Sequence, residues 1–280
     1  MKKVLVVLLI IAVVGCPFLF ATAADRYSVT TINIASDTDI SEQRVAQIKQ
    51  SFDLESQQGK NDYVKRVFAE FNIDESIIEL LSAEKIEMIV NAEEFGFKQE
   101  EPSEKNRSGS GGYETQDEDM YRGIMWAKNG YRYLILGTCS WLDIPFMRLK
   151  DTVDIGLTAG GVIDDSQNLI MRYRRKNDPA GEYTEEYFYK SDEEYVGESN
   201  NCTFIVDLPN YMLVNGVEEL DFIITAVYEI KPYQTANLSL AYYHKNSPCV
   251  TSISISYIGG LSLQPESLHT KYSVQTVITE

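Results

Sequence analysis

The amino-acid sequence predicts an α+β protein with a short N-terminal helical segment, a flexible linker and a mostly antiparallel all-β domain, either a sandwich or a barrel-like sheet. Apolar residues recur at helical spacing between residues 41 and 96, and from residue 120 onward they alternate with a period of two. A stretch rich in serine and glycine separates the two patterns. The predicted boundaries are 1–23 for a signal peptide, 24–97 for the helical region, 98–119 for the linker and 120–280 for the β-sandwich domain.

The N-terminus has the three parts of a secretory signal peptide. Lys2 and Lys3 precede the apolar run VLVVLLIIAVVGCPFLF, and small residues close the segment, so we expect cleavage between Ala23 and Ala24. No later apolar run reaches the length of a membrane span. The sequence therefore predicts a secreted, extracellular protein with no stable membrane insertion after cleavage, and its layout resembles that of exported proteins of Gram-positive bacteria.

The charge of the chain narrows the class of partner. The formal net charge is -17, and removal of the signal peptide removes two lysines and no acid. Such a chain is repelled by nucleic acid and by anionic membranes. We therefore expect an extracellular protein or glycan as the partner.

The residues before the linker predict three or four short helices. Asp39 with Glu42 has the pattern of a capping box, and Asp74 and Ser82 are typical N-cap residues. Gly96 is a typical helix stop. The apolar stripes are too small to fold alone, so these helices must pack on each other or on another surface. The stripes comprise Val45, Ile48, Phe52, Val64, Val67, Phe68, Phe71, Ile77, Ile78, Leu80, Leu81, Ile86, Ile89 and Val90.

The linker and the β domain follow. Residues 98–119 contain almost no aliphatic side chain, which is typical of a solvated linker and of a site of proteolytic cleavage. About ten short strands separated by turn signals then predict an antiparallel sandwich or barrel. The predicted strands are 123–127, 131–142, 152–158, 169–175, 183–190, 203–208, 220–230, 238–244, 251–259 and 272–278.

The stretch MRYRRKNDPAGEYTEEYFYK, residues 171–190, concentrates basic residues in an acidic protein. With the turn centred on its proline, an antiparallel hairpin places Arg172 opposite Glu186, which predicts a charge-paired ladder. Arg174 and Arg175 have no acid opposite them in that register, and Arg175 faces Tyr183. Arg174, Arg175 and Tyr183 are therefore the candidate ligand contacts.

The cysteines give one candidate disulfide. Cys202 and Cys249 both stand beside turn residues and are the predicted pair, whereas Cys139 lies in an apolar strand. Three free thiols are the alternative. Acylation at Cys16, as in a lipoprotein, is less favoured than plain export because the residues that follow it stay apolar.

The sequence contains few signals of catalysis or of a cofactor. Only two histidines are present, and no zinc, phosphate-loop or serine-nucleophile motif occurs. Calcium is the metal that suits an acidic exported protein, and Asp37 and Asp39 begin like a calcium loop. The pattern then departs from that loop, with Glu42 at the position where glycine is required. We therefore expect no cofactor.

These observations favour a secreted, non-enzymatic protein with an extracellular binding role. The alternative is a secreted antimicrobial or toxin-like effector, whose helical leader masks the β domain until it is cut in the linker. A hydrolase using loop carboxylates is the third hypothesis, and it requires a cleft that holds two of them. Helices that cover a face of the sheet would favour the leader.

Overall fold

The computed structural model describes residues 37–100, 120–141, 150–175, 182–197, 199–208, 217–232, 235–245, 256–258, 261–263 and 269–279. The predicted signal peptide with Cys16, and the predicted linker beyond residue 100, lie outside these ranges. Within the described chain, no helix is long and apolar enough to cross a membrane.

The described elements form two main antiparallel sheets and a small helical layer, as the sequence predicts. Sheet A has the strand order β1-β2-β3-β4-β10-β7-β8, with β6 paired to β10, and sheet B has the order β14-β11-β5-β9. Strands β12 and β13 pair with each other. The strands are β1 Asp37–Ile40, β2 Glu94–Glu100, β3 Met120–Asn129, β4 Arg132–Trp141, β5 Lys150–Leu157, β6 Gly161–Val162, β7 Asn168–Arg175, β8 Tyr183–Tyr189, β9 Asn201–Asp207, β10 Val217–Glu229, β11 Thr235–Lys245, β12 Ser256–Ile258, β13 Leu261–Leu263 and β14 His269–Thr279.

The helical layer contains three α-helices and one 3-10 helix. They are α1 Glu42–Lys49, α2 Gln57–Glu70, the 3-10 helix Glu75–Leu80 and α3 Ala83–Asn91. The predicted caps at Asp74 and Ser82 are confirmed, since their side chains accept from the backbone N–H groups of Ser76 and Lys85. Ser41 occupies the N-cap position of α1, so the predicted capping box of Asp39 with Glu42 is wrong.

Sheet A is the middle layer of a three-layer structure. Phe222, Ile224 and Ala226 of β10 belong to the core between the two sheets. Ile223 and Val227, on the opposite face of the same strand, belong to a second core with the helices. The helical layer therefore folds against sheet A, as its small apolar stripes require.

Strands β1 and β2 are the main difference from the prediction. Asp39, predicted to cap a helix, pairs with Gly96 in the β1–β2 ladder. Lys98, predicted to begin the linker, pairs with Ile124 of β3. Gly96 was predicted as a helix stop, but it lies in β2 directly opposite Trp126. The prediction failed because a glycine that stops a helix and a glycine that makes room for a cross-strand ring look alike in sequence.

The contact between Gly96 and Trp126 makes the first testable prediction. A β-carbon on residue 96 would lie 2.3 Å from Cε2 of the indole, which itself packs edge-on against Tyr133. Because the ring must move, we expect Gly96→Ala to lower the free energy of unfolding by about 1–3 kcal/mol in urea denaturation.

Gly161→Ala is the matched control in the same sheet. Its new methyl group would meet only the carbonyl oxygen of Ser199 at 3.5 Å, an ordinary contact. We expect this control to change the free energy of unfolding by no more than about 0.5 kcal/mol. Equal effects of the two substitutions would contradict the assigned role of Trp126.

Candidate functional site

The β7–β8 hairpin forms as predicted, but its register differs by one residue. Arg172 lies opposite Glu185, and Met171, not Arg172, lies opposite Glu186. Leu169 pairs with Phe188, and both side chains pack in the core between the sheets. A shift of one residue would move the half-buried Phe188 to the other face of the sheet, so the packing of Phe188 against the core explains the observed register.

Two of the three predicted ligand contacts, Arg174 and Tyr183, share one environment, and Arg175 lies apart from them. Arg174 lies opposite Tyr183, and both side chains bind Glu219 of β10: the guanidinium by an ion pair and the phenol by donating a hydrogen bond. Burial and this hydrogen bond raise the pKa of Tyr183 above its usual range. Arg175 is exposed at the end of β7. Arg174 and Tyr183 are thus brought together, with each other and with an acid that is distant in sequence.

Two tyrosines of β8 form a separate feature, here called the tyrosine row. Tyr187 and Tyr189 are 42% and 51% exposed, and they lie on the face of sheet A that the helices cover elsewhere. The phenol of Tyr187 donates to Glu185, with an O–O distance of 2.6 Å. By contrast, Tyr173, Tyr228 and Tyr242 are buried, as expected of tyrosine used as a strand residue. The tyrosine row is therefore a surface feature.

A cleft of about 170 Å³ opens between the 3-10 helix and strands of sheet A. Arg172, a buried residue, crosses it: its Nε donates to Asp221 at 2.8 Å and its Nη2 donates to Asp74 at 2.7 Å. Its Nη1 also donates to the hydroxyl of Ser76 at 2.6 Å. One guanidinium therefore joins the helical layer to two strands, and we call this group the Arg172 clamp.

The clamp places its two carboxylates in different electrostatic environments. Burial raises the pKa of Asp221 and outweighs the lowering by Arg172 and Ser140. Burial also raises the pKa of Asp74, but hydrogen bonds from Ser76 and the contact with Arg172 outweigh it and hold the pKa below the usual range. The hydrolase hypothesis requires two loop carboxylates in a cleft, whereas the two carboxylates of this cleft lie in strand β10 and at the N-cap of the 3-10 helix. Because one guanidinium binds both, the arrangement favours an ionic clamp over an acid and base pair.

A second polar contact joins the helices to sheet A. Lys85 of α3 donates to Asn168 of β7 and, at 2.6 Å, to the hydroxyl of Thr225 on β10. Desolvation lowers the pKa of Lys85 to about 8. The helical layer is therefore fixed to the sheet at two points by hydrogen bonds as well as by apolar packing.

The cysteines show no activated thiol in the described chain. Cys139 and Cys202 are buried, and neither forms a disulfide with another described residue. Burial raises the pKa of Cys139 to about 12, the opposite of the shift that a nucleophilic thiol needs. Cys249 lies outside the described residues, so its pairing with Cys202 stays a prediction.

The candidate calcium residues lie in β1. Asp37 and Asp39 pair with Lys98 and Gly96 in the strand ladder, so this segment has strand geometry and not that of a calcium loop. Among the described residues, no group of three or more His, Cys, Asp or Glu side chains could hold a metal ion.

This arrangement defines a mostly antiparallel, two-sheet β protein with a helical layer on one sheet. No family model and no curated protein matches the chain. A solved structure of the KRT10-binding region domain of the pneumococcal serine-rich repeat protein PsrP matches at 10% identity and a TM-score of 0.29, covering 53% of this chain and 85% of that chain. The delta-toxin of Clostridium perfringens matches at 7% identity and a TM-score of 0.24, covering 66% and 90%. A structure described as a pore-forming protein matches at 6% identity and a TM-score of 0.27, covering 66% and 92%. With TM-scores below 0.5, these likenesses carry no argument about function.

The Arg172 clamp makes the second testable prediction. Arg172→Met would leave Asp221 buried without its cation, so we expect the free energy of unfolding at pH 7 to fall by about 3–5 kcal/mol in urea denaturation. Arg172→Met combined with Asp221→Asn removes the uncompensated charge, and we expect it to recover part of the loss.

Arg44→Met is the control for the loss of an arginine. Arg44 forms an exposed ion pair with Glu70, with an N–O distance of 3.1 Å. We expect this change to cost no more than about 1 kcal/mol. If the double variant at the clamp is no more stable than Arg172→Met alone, the loss does not come from the buried charge of Asp221.

Proposed function

We propose that the protein is an exported, non-enzymatic β-sandwich protein that binds an extracellular protein or glycan through the tyrosine row of β8. The observation that carries this proposal is the exposure of Tyr187 and Tyr189 on the last strand of sheet A. Tyrosine offers a large, rigid contact area and a polar tip at low entropic cost, so it suits both protein contacts and stacking on sugar rings. The net charge of -17 favours partners other than nucleic acid.

The position of the row within the fold supports a binding role. Ile170, directly opposite Tyr187 on β7, is buried in the core with the helices. The helical layer therefore ends between β7 and β8, and the next strand carries its aromatic side chains into solvent. Phe188, on the other face of β8, packs against the core between the sheets and anchors the strand.

Replacement of the row makes the third testable prediction. The double variant Tyr187→Ser with Tyr189→Ser removes the aromatic surface at two exposed positions. We expect it to weaken binding by about tenfold or more, because contacting aromatic residues contribute most of the energy of an interface. Glycan arrays and pull-downs from extracellular proteins with the full exported chain measure the effect.

Tyr131→Ser is the matched control, because Tyr131 is 53% exposed and lies at the turn between β3 and β4. It removes an equally exposed tyrosine outside the row, and binding should stay within about twofold. Wild-type protein that binds no protein, glycan or cell wall would contradict the proposal, and so would equal losses in the row and at Tyr131.

A toxin-like effector with a helical leader is the second candidate, and the helical layer supports it. Helices α1, α2 and α3 cover one face of sheet A, and their apolar side chains share a core with Met125, Ile223 and Val227. A leader that masks a β domain requires such a cover. Strand β2 also pairs with β3 over residues 94–100, so a cut in residues 101–119 would leave the leader attached without a covalent bond.

Processing of the exported chain makes the fourth testable prediction. If the leader is removed, mass spectrometry of the exported protein should find a chain that begins within residues 101–119. The N-terminal fragment should stay with it on size exclusion in buffer and separate in denaturant, since the two share a core and a strand ladder. A chain that begins near Ala24 and nowhere later would end this candidate.

A further inference from the structure

Among the residues that the structure describes, strand β8 is an edge strand of sheet A. It pairs with β7 on one side and is the last strand in the order of the described sheet. Among the described residues, the backbone of Tyr183–Phe188 makes no hydrogen bond to a strand on its other side. An edge of this kind presents N–H and C=O groups that a further strand can pair with.

The hydrogen bonds at the C-terminal end of β8 show which of its residues direct their backbone N–H and C=O groups to the side away from β7. The N–H of Tyr189 donates to Oδ2 of Asp192 at 2.7 Å, and its C=O accepts from the N–H of Asp192 at 3.0 Å. Tyr189 therefore directs its backbone groups away from β7. Because this direction alternates along an antiparallel strand, Glu185 and Tyr187 also direct their N–H and C=O groups to the open edge.

The charged side chains of β8 determine which charge a strand that pairs with it must carry. Across residues 182–197 the only cation is Lys190, and its Nζ is bound to Asp164 at 2.5 Å. Glu185 and Glu186 are neighbours in β8, so they project from opposite faces of the sheet. An incoming strand therefore meets an acid on either face, and lysine or arginine opposite these acids is favourable.

A second copy of this chain fits the edge poorly. Antiparallel pairing of two β8 strands about Glu186 places one Glu186 opposite the other, and two chains that each carry a net charge of -17 repel. The complementary occupant is a basic strand from another protein.

We propose that the open edge of β8 binds an extended, basic segment of an extracellular protein by strand addition. This inference rests on the proposed function and names its partner class. Backbone hydrogen bonds at Glu185 and Tyr187 hold the segment, its cations face Glu185 and Glu186, and the tyrosine row packs along its side chains.

Synthetic peptides of eight residues test the proposal with the full exported chain. Fluorescence anisotropy compares a peptide of alternating lysine and threonine with its twin of alternating glutamate and threonine. We expect the basic peptide to bind at least about tenfold more tightly. A fully N-methylated basic peptide keeps the charges but loses the backbone donors, and we expect it to bind about tenfold more weakly than its parent.

Charge reversal on the protein is the second arm. Glu185→Lys with Glu186→Lys should weaken binding of the basic peptide by about tenfold. Glu55→Lys with Glu79→Lys makes the same change in net charge at two exposed acids of the helical region, and its affinity should match wild type within about twofold.

The outcomes separate this inference from the proposed function. Equal binding of the N-methylated peptide overturns strand addition, and equal losses in the two charge-reversed variants overturn the placement at β8. If no basic peptide binds while a glycan or protein ligand still depends on Tyr187 and Tyr189, the inference fails and the proposed function stands. If neither peptides nor any other ligand depend on β8, both fail.

Discussion

The rest of the fold depends on the apolar side chains that sheet A carries on both faces. Phe222 and Ile224 of β10 point into the core between the sheets, while Ile223 and Val227 point to the helices. A strand that is apolar on both sides must be covered on both sides, since exposed apolar surface costs about 25 cal/mol per Å². Sheet B covers one face, and the helices are the only described elements on the other. Their position follows from this constraint, because helices of 8–14 residues are too short to be stable alone.

Apolar packing alone would leave the register of the helices on the sheet poorly determined. The Arg172 clamp and the contact of Lys85 with Asn168 and Thr225 fix it, because each buried charge finds its partners in one arrangement only. The two contacts lie four residues apart on β7, at Asn168 and at Arg172, so together they hold the helical layer against sliding and rotation. The same contacts bear on the leader hypothesis: release of the helices must break the ion pair of Arg172 with the half-exposed Asp74 and expose an apolar face.

The sequence was sufficient to predict the fold class, the helical stripes and most of the described strands of the β region, because the period of burial is local information. It did not predict the short strands β6 and β13, and most of the predicted strand 251–259 lies outside the described residues. It predicted the β7–β8 hairpin with a register wrong by one residue, since cross-strand charges favoured Arg172 opposite Glu186 while the packing of Phe188 against the core decided the pairing. It missed β1 and β2 because their residues also fit helix caps and stops.

The Arg172 clamp could not be predicted from the sequence. Asp74 and Asp221 are far from Arg172 along the chain and meet it only once the layers have packed. The sequence does not separate Tyr187 and Tyr189 from the buried tyrosines of the neighbouring strands, because only the packed structure shows which of them stay exposed.

The boundary of the helical layer explains why β8 differs from the rest of sheet A. Strand β7 has a buried Ile170 on the helix side, whereas Tyr187 beside it on β8 is exposed. An open, aromatic edge strand invites pairing with other chains, and native proteins oppose this with charges on the edge. Glu185 and Glu186 provide these charges on β8. Because both are negative, they repel a second copy of this acidic chain but allow a basic strand to pair. One pair of acids can therefore prevent self-association and select a partner at the same edge.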